Sequence, residues 1–326
     1  MNAKGRGPLV ASLMLALFFH PVCATAQADW PTKPVRIVVP FAPGGTADIC
    51  ARILAEHLTK TFPQGFVADN RAGASGNIGA AEVARSTPDG YTFLMGNTPT
   101  IAINQFIFSK MPYNPEKDLI PVSLVARVPN VLVVHPSLGV RSLQELIERA
   151  RAKPGSINYG SSGAGTVLHL SAELLKTMAR VDLVHVPYKG SGPMLQDLVA
   201  GQIQMAIDNV PSALPYIRSG RLLALAVTPS QPVAILPNVP TIASVIPGYE
   251  AVAFFALMAP AATPQPIIAR LSAEIDKTLH RPDVVERFTQ LGAEPVGGTP
   301  VELAEFIVRE TAKWREVVKT SGANAE

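Results

Sequence analysis

The chain is poor in cysteine, with two in 326 residues. Cys23 lies in a segment expected to be removed, so Cys50 stands alone in the mature protein. A lone cysteine excludes an internal disulfide framework. Cys50 falls on a predicted helix and is read as a small buried hydrophobe rather than a reactive thiol. Charge is sparse as well, at 16% of residues. No basic run interleaved with aromatics occurs, which argues against a nucleic-acid partner. Past Phe19 no stretch is long and apolar enough for a membrane helix. No His, Cys, Asp or Glu spacing resembles a zinc site. The glycine pairs match neither the dinucleotide fingerprint nor the phosphate-binding loop. Neither a metal nor a cofactor is expected.

What is present begins with a leader. Lys4 and Arg6 form a short basic region, and Pro8 to Phe19 form an apolar core too short to span a bilayer. Ala24-Thr25-Ala26 and Ala26-Gln27-Ala28 both offer small residues for cleavage. Cleavage after Ala28 is preferred, giving a signal peptide over 1–28 and a mature start at Asp29. A lipoprotein signal at Cys23 is disfavoured, because His20-Pro21-Val22 is a poor lipobox. The net charge of +3 falls to about +1 once Lys4 and Arg6 leave. The protein is expected to be exported to the periplasm and soluble.

The 30 prolines punctuate many short elements rather than forming one tract. Strands are expected at Val35–Val39, Phe66–Asp69, Tyr91–Met95, Ile157–Tyr159, Leu183–Val186, Gln204–Ile207 and Leu222–Val227. Helices are expected from Thr46 through Leu58, and over Gly76–Arg85, Thr166–Met178, Ser191–Val199, Pro266–Leu279 and Pro300–Val318. Such alternation implies an α/β fold with parallel sheets covered by helices. Two apolar extended segments, Ser123 to Val134 and Ala251 to Pro260, are either crossings between lobes or plain core strands. If both cross, one lobe is discontinuous, over 29–128 and 253–326, and the other is an insertion over 129–252.

Ligands of such folds bind at the carboxyl ends of the strands. Here those ends carry glycines, hydroxyls and amides: Phe41 to Thr46, Asn70 to Asn77, Gly96-Asn97-Thr98, Gly160 to Thr166, Pro187 to Gly190 and Asp208-Asn209. Neutral donors with little titratable chemistry favour grasping a polar solute over transforming it. The first of these turns has two readings. The free N–H groups of the following helix suit a carboxylate, or the turn is an ordinary one with Thr46 as N-cap.

Val39-Pro40-Phe41-Ala42-Pro43-Gly44-Gly45-Thr46-Ala47-Asp48 resembles the opening motif of the tripartite tricarboxylate transporter receptors, the TctC-like or Bug proteins. Asn70 to Gly79, Pro88-Asp89-Gly90-Tyr91-Thr92, Asn158 to Gly165 and His185 to Gly190 resemble further blocks of that family, in order along the mature chain. The resemblance implies a type II periplasmic binding-protein fold, two α/β lobes around a ligand cleft with two crossover segments. It implies capture of a small organic acid and delivery to a membrane permease of two integral subunits. Carried onto this chain, Phe41, Gly44, Gly45 and Thr46 line one side of the cleft and Ser161, Ser162, Gly163 and Thr166 the other. Asn97 and Asp208 become polar walls, and Asn209 a position that tunes specificity.

Three charged residues carry alternatives. Asp48 either meets a donor on the ligand or supports the glycine loop, since a bare carboxylate repels an anion. Arg71 either grips the anion or pairs with Asp69 or Asp89. Lys189 either closes the cleft electrostatically or is solvated. A catalytic role finds no constellation: Gly160-Ser161-Ser162-Gly163 departs from G-x-S-x-G at Ala164. His169 is read as packing on its helix. The same cleft also fits a ligand-sensing partner of a membrane signalling protein, and a hydrolase built on Ser162 is the remote alternative. A monomer is expected.

Overall fold

The structure, a computed structural model, describes residues 1–2 and 30–321. The apolar leader core and the expected cleavage site lie outside the described residues. Residues from Pro31 onward cluster as one unit. They begin with β1 (Val35–Val39), α1 (Thr46–Thr61), β2 (Phe66–Asn70), α2 (Asn77–Ala84) and β3 (Thr92–Asn97). A wide helical turn at Pro99–Ile103 and the short α3 (Asn104–Ile107) lead to β4 (Leu119–Val134). Then follow α4 (Leu143–Ala152), β5 (Asn158–Ser161), α5 (Val167–Ala179), β6 (Val184–Pro187), α6 (Ser191–Val199), β7 (Met205–Asn209), α7 (Val210–Arg218) and β8 (Leu223–Val227). The chain ends with β9 (Val252–Pro260), α8 (Gln265–Leu279), α9 (Pro282–Gln290), β10 (Glu294–Gly297) and α10 (Pro300–Ser321).

The strands run in the order β2-β1-β3-β9-β4-β7-β5-β6, with β8 and β10 also paired to β4. The expected parallel pairing holds for β1 with β2 and β3, and for β5 with β6 and β7. It fails for the long strands. β9 is antiparallel to both β3 and β4, and β4 is antiparallel to β7, β8 and β10. The reason is connectivity: β4 leaves the first parallel set and β9 returns to it, so the two travel in opposite directions.

β4 changes partner along its length. Leu119 to Pro129 pair with β9, and Asn130 to Val134 pair with β7. Its prolines sit where the ladder tolerates a missing donor. Pro121 adjoins a register shift, and Pro129 is the last residue paired with β9. Helices then cover the sheet with apolar faces. Met194, Leu195 and Leu198 of α6 and Ala213 and Leu214 of α7 pack on Val131 and Val133 of β4.

Helices α3, α4, α7 and α9 and strand β10 were not expected from the sequence. α4 is short and strongly charged, and its N-cap is Ser142, whose hydroxyl accepts the Glu145 N–H at 3.1 Å. Cys50 is buried and unpaired, and burial pushes its thiol up to about 12, as its reading as a hydrophobe requires. No helix among the described residues is long and apolar enough to cross a membrane.

The centre of β4 should be the most sensitive part of this core. Leu132 is fully buried and opposes Ile207 on one side and Ala226 on the other. Leu132→Ala is expected to cost about 2–5 kcal/mol of stability in urea unfolding. A loss under about 1 kcal/mol would show that the site collapses around the cavity.

Candidate functional site

The first turn is built by its glycines and braced by Asp48. Gly44 takes φ +84°, a left-handed conformation that suits glycine. Gly45 is the N-cap of α1 and has no side chain with which to cap, so Thr46 is the first helical residue and not the N-cap. The Gly44 N–H donates to Asp48 Oδ2 at 3.1 Å. Asp48 Oδ1 pairs with Arg52 at 2.9 Å. Arg52 also donates to Asn70 Oδ1 at 3.3 Å, and Asn70 Nδ2 to the Phe41 carbonyl at 3.0 Å. Asp48 therefore supports the loop from beneath.

Two sets of loops meet across a small space. The Ala42 N–H donates to the Lys189 carbonyl at 3.1 Å. Gly192 packs so closely that an added Cβ would lie 2.1 Å from the Pro43 carbonyl oxygen. On the other flank, Ser75 Oγ donates to the Ala164 carbonyl. Between them lies a cavity of about 20 Å³ lined by Phe41, Gly45, Thr46, Ala47, Asn97, Ser162, Ser191, Asn209 and Phe255. None of these residues is charged. Three helices begin at its wall: α1 at Thr46, α6 at Ser191 and α7 behind Asn209. Helix N-termini carry partial positive charge, so the wall offers it without a lining cation.

Behind the wall sits a carboxylate with no cationic partner among the described residues. Asp208 is fully buried and accepts from Ser191 Oγ at 2.5 Å and from Ser212 Oγ at 2.6 Å. Thr46 Oγ1 donates in turn to Ser212 Oγ at 3.3 Å. Burial pushes Asp208 up to about 6, against the pull of both hydroxyls and of the Asn209 N–H.

The second glycine loop is held by imidazoles. Ser161 Oγ lies 2.7 Å from His185 Nε2 and donates to the Gly163 carbonyl at 3.0 Å. His185 stacks on His169 with centroids 4.0 Å apart, and His169 Nδ1 accepts the Gly165 N–H at 3.0 Å. Burial, then His169, drives His185 down to about 3; burial also lowers His169. Both rings are neutral near pH 7, which suits a structural stack. The contact of Ser161 with His185 has the distance of a nucleophile and its base. However, Ser161 is fully buried and does not line the cavity. Ser162, which does, bonds Thr166 Oγ1 at 3.3 Å and no histidine.

Of the residues expected at the site, Phe41, Gly45, Thr46, Asn97 and Ser162 line the cavity. Gly44 and Asp48 shape the first loop; Ser161, Gly163 and Thr166 shape the second; Asp208 lies one layer back. Arg71 pairs with Asp69 at 3.1 Å, while Asp89 pairs with Lys33 at 3.3 Å. Ser191, Ala47 and Phe255 were missed. Ser191 extends the pattern of glycine followed by hydroxyl after β6, so the signal was available. Among the described residues no group of His, Cys, Asp and Glu is arranged for a metal.

A larger cavity, about 930 Å³, lies apart between α8, β10 and α10. Size alone would favour it. Its glycine loop has already used its donors: the Gly298 N–H goes to Asp276 Oδ1 at 2.8 Å and the Thr299 N–H to Glu302 Oε2 at 2.7 Å. The smaller cavity carries the convergent helix ends, which makes it the candidate site.

The family model for the tripartite tricarboxylate transporter family receptor matches residues 50–323. This chain belongs to that receptor family. BugT of Bordetella pertussis is 40% identical over 318 residues, which span 97% of this chain and 98% of BugT. Rpa4515 of R. palustris, whose structure is with adipate, is 43% identical with a TM-score of 0.89, covering 91% of this chain and 99% of that one. MatC from Rhodopseudomonas palustris, with bound malate, is 35% identical with a TM-score of 0.84, covering 89% of this chain and 100% of that one. The receptor family is periplasmic and binds solutes, and the fold is that of its periplasmic binding proteins. Its members are receptors and not enzymes.

The buried carboxylate gives this site a pH signature. The folded-state value of Asp208 lies above its ordinary 3.8, so the folded chain holds that proton more tightly than the unfolded chain. Its contribution to stability is full below about pH 4 and is lost as pH rises through about 6. Asp208→Asn cannot ionise and is expected to gain stability over wild type across that interval, on the order of 3 kcal/mol by neutral pH. Urea unfolding of both proteins at about pH 4 and about pH 7 measures the gain. An equal difference at the two values would count against a buried carboxylate without a cation.

Proposed function

We propose that this chain is an exported receptor that grips a small organic carboxylate between two lobes and delivers it to a membrane permease of two integral subunits. The observation that carries the reading is the convergence of three helix N-termini on a cavity with no charged lining residue. That arrangement binds anions through backbone N–H groups. The family supports it, as do the adipate and malate of the relatives Rpa4515 and MatC.

The lobes are taken as 29–128 with 253–326, and 129–252. The support is the partner change of β4 at Pro129 and Asn130 and the start of β9 at Val252. The ligand contacts are taken as Phe41, Gly45, Thr46, Asn97 and Ser162, with Gly44, Asp48, Ser161, Gly163, Thr166 and Asp208 shaping them. A cavity of about 20 Å³ holds about one water molecule and is far smaller than a dicarboxylate. The two sets of loops must therefore part to admit a ligand and close again over it. Closure is favoured to the extent that the ligand binds the closed form better. The receptor is taken as a monomer.

The test is a titration of the mature chain, from Asp29, with adipate, malate, monocarboxylates and neutral sugars, followed by calorimetry and melting temperature. A carboxylate should raise the melting temperature through linkage. Ser162→Ala should weaken that ligand about tenfold while leaving the free protein's melting temperature nearly unchanged. Stabilisation by sugars and by no carboxylate would overturn the anion grip, and turnover of a bound ester would revive the hydrolase.

A further inference from the structure

The two crossing strands meet at one buried amide. Asn130 is fully buried at the residue where β4 exchanges β9 for β7. Its Oδ1 accepts from Asn209 Nδ2 at 2.6 Å, and its Nδ2 donates to the Ala251 carbonyl at 3.3 Å. Asn209 lines the cavity, and Ala251 immediately precedes β9. Thr228 closes the knot. Its hydroxyl donates to the Ala251 carbonyl and accepts the Asn130 N–H at 3.3 Å. Its own N–H donates to the Asn130 carbonyl at 3.0 Å, and the Ala251 N–H donates to the Thr228 carbonyl at 3.1 Å.

An amide here is costly to bury. Val128, Val131 and Leu132 around it are fully buried and apolar, and a hydrocarbon side chain would avoid the desolvation of two polar groups. The amide is tolerable because both ends are met, and such a network specifies one arrangement of the parts it joins. The parts joined are the ligand wall, the outgoing strand and the start of the returning strand.

We propose that Asn130 is a positioning residue that ties the cavity wall at Asn209 to both crossing strands, so that the placement of that wall and the angle between the lobes are set by one side chain. The inference rests on the two-lobed reading above. Asn130 does not face the ligand; it acts through Asn209.

The experiment measures the angle directly and needs no ligand. Spin labels are placed on the mature chain at Lys60→Cys on α1 and Glu148→Cys on α4, both exposed; Cys50 is buried and stays unlabelled. Distance distributions are compared for wild type, Asn130→Leu, Asn130→Ser and Gly192→Val. Gly192→Val drives a side chain into the Pro43 carbonyl and forces the loops apart, which supplies the open reference. The proposal expects the Asn130 variants to broaden the distribution or shift it toward that reference, with a native circular dichroism spectrum. If Asn130→Leu fails to fold, Asn130→Ser carries the reading. A folded Asn130 variant with a lower melting temperature but the wild-type distribution overturns the proposal, because a merely structural role predicts that result. If Gly192→Val moves the distance and Asn130 variants do not, the lobes stand and the proposal falls. If no variant moves it, the two-lobed reading falls and takes the proposal with it.

Discussion

The antiparallel pairing of β4 with β9 is the constraint on which the rest depends. β3 is attached through β9, and β7, β8 and β10 are attached through β4. The two parallel sets have no direct ladder to each other. Register in the two flanking ladders, β3 with β9 and β4 with β7, also places residues at the cavity. Asn97 opposes Phe255, and Asn130 opposes Asn209. Slipping either pairing by one residue would turn these side chains to the other face. Both strands are nearly continuous buried apolar runs, so hydrophobic pattern alone specifies register weakly. The polar residues at the crossing and the bulges beside Pro121 and Leu124 do more to hold it.

Electrostatics at the site are arranged around the absence of a cation. A buried lysine or arginine would demand its own partner, whereas the helix ends are partial charges already fixed by the backbone. Asp208 is costly because burial desolvates its charge, and its retention at full burial calls for a compensating use. Its two oxygens orient Ser191 and Ser212, and through Ser212 they orient Thr46. These residues begin or line α1, α6 and α7. One carboxylate thereby holds three converging helix ends in a single arrangement, at a cost to stability that the helix dipoles offset in part.

Much of this was legible in the sequence. The strand, glycine turn and helix at Val35 to Asp48, the strand ends rich in hydroxyls and amides, and the two long apolar segments all have local signatures. The antiparallel course of β4 and β9 has none, since strand direction follows from connectivity and not from composition. Of the two readings left open for the first turn, Thr46 as a cap does not hold, because its hydroxyl serves a residue 166 positions away, beyond any local rule. Phe255 was hidden in an apolar run where Phe254 and Phe255 look alike; only the pleat separates them. Helices α4 and α9 were obscured by their charge, which masks a narrow apolar stripe.

The direction of the hydroxyl protons limits how a carboxylate can be held. Ser191 gives its proton to Asp208, Thr46 gives its proton to Ser212, and Ser162 gives its proton to Thr166. Toward the cavity all three present lone pairs, which repel a carboxylate. Asn97 spends its Oδ1 on Thr100, leaving its Nδ2 as a donor. The remaining direct donors are the backbone N–H groups of the helix starts. Any further contact to an anion must pass through a water that donates one proton to a serine or threonine oxygen and the other to the ligand. On the proposed reading, a carboxylate would therefore meet few direct donors here, and those belong to the backbone and to Asn97 rather than to the hydroxyls.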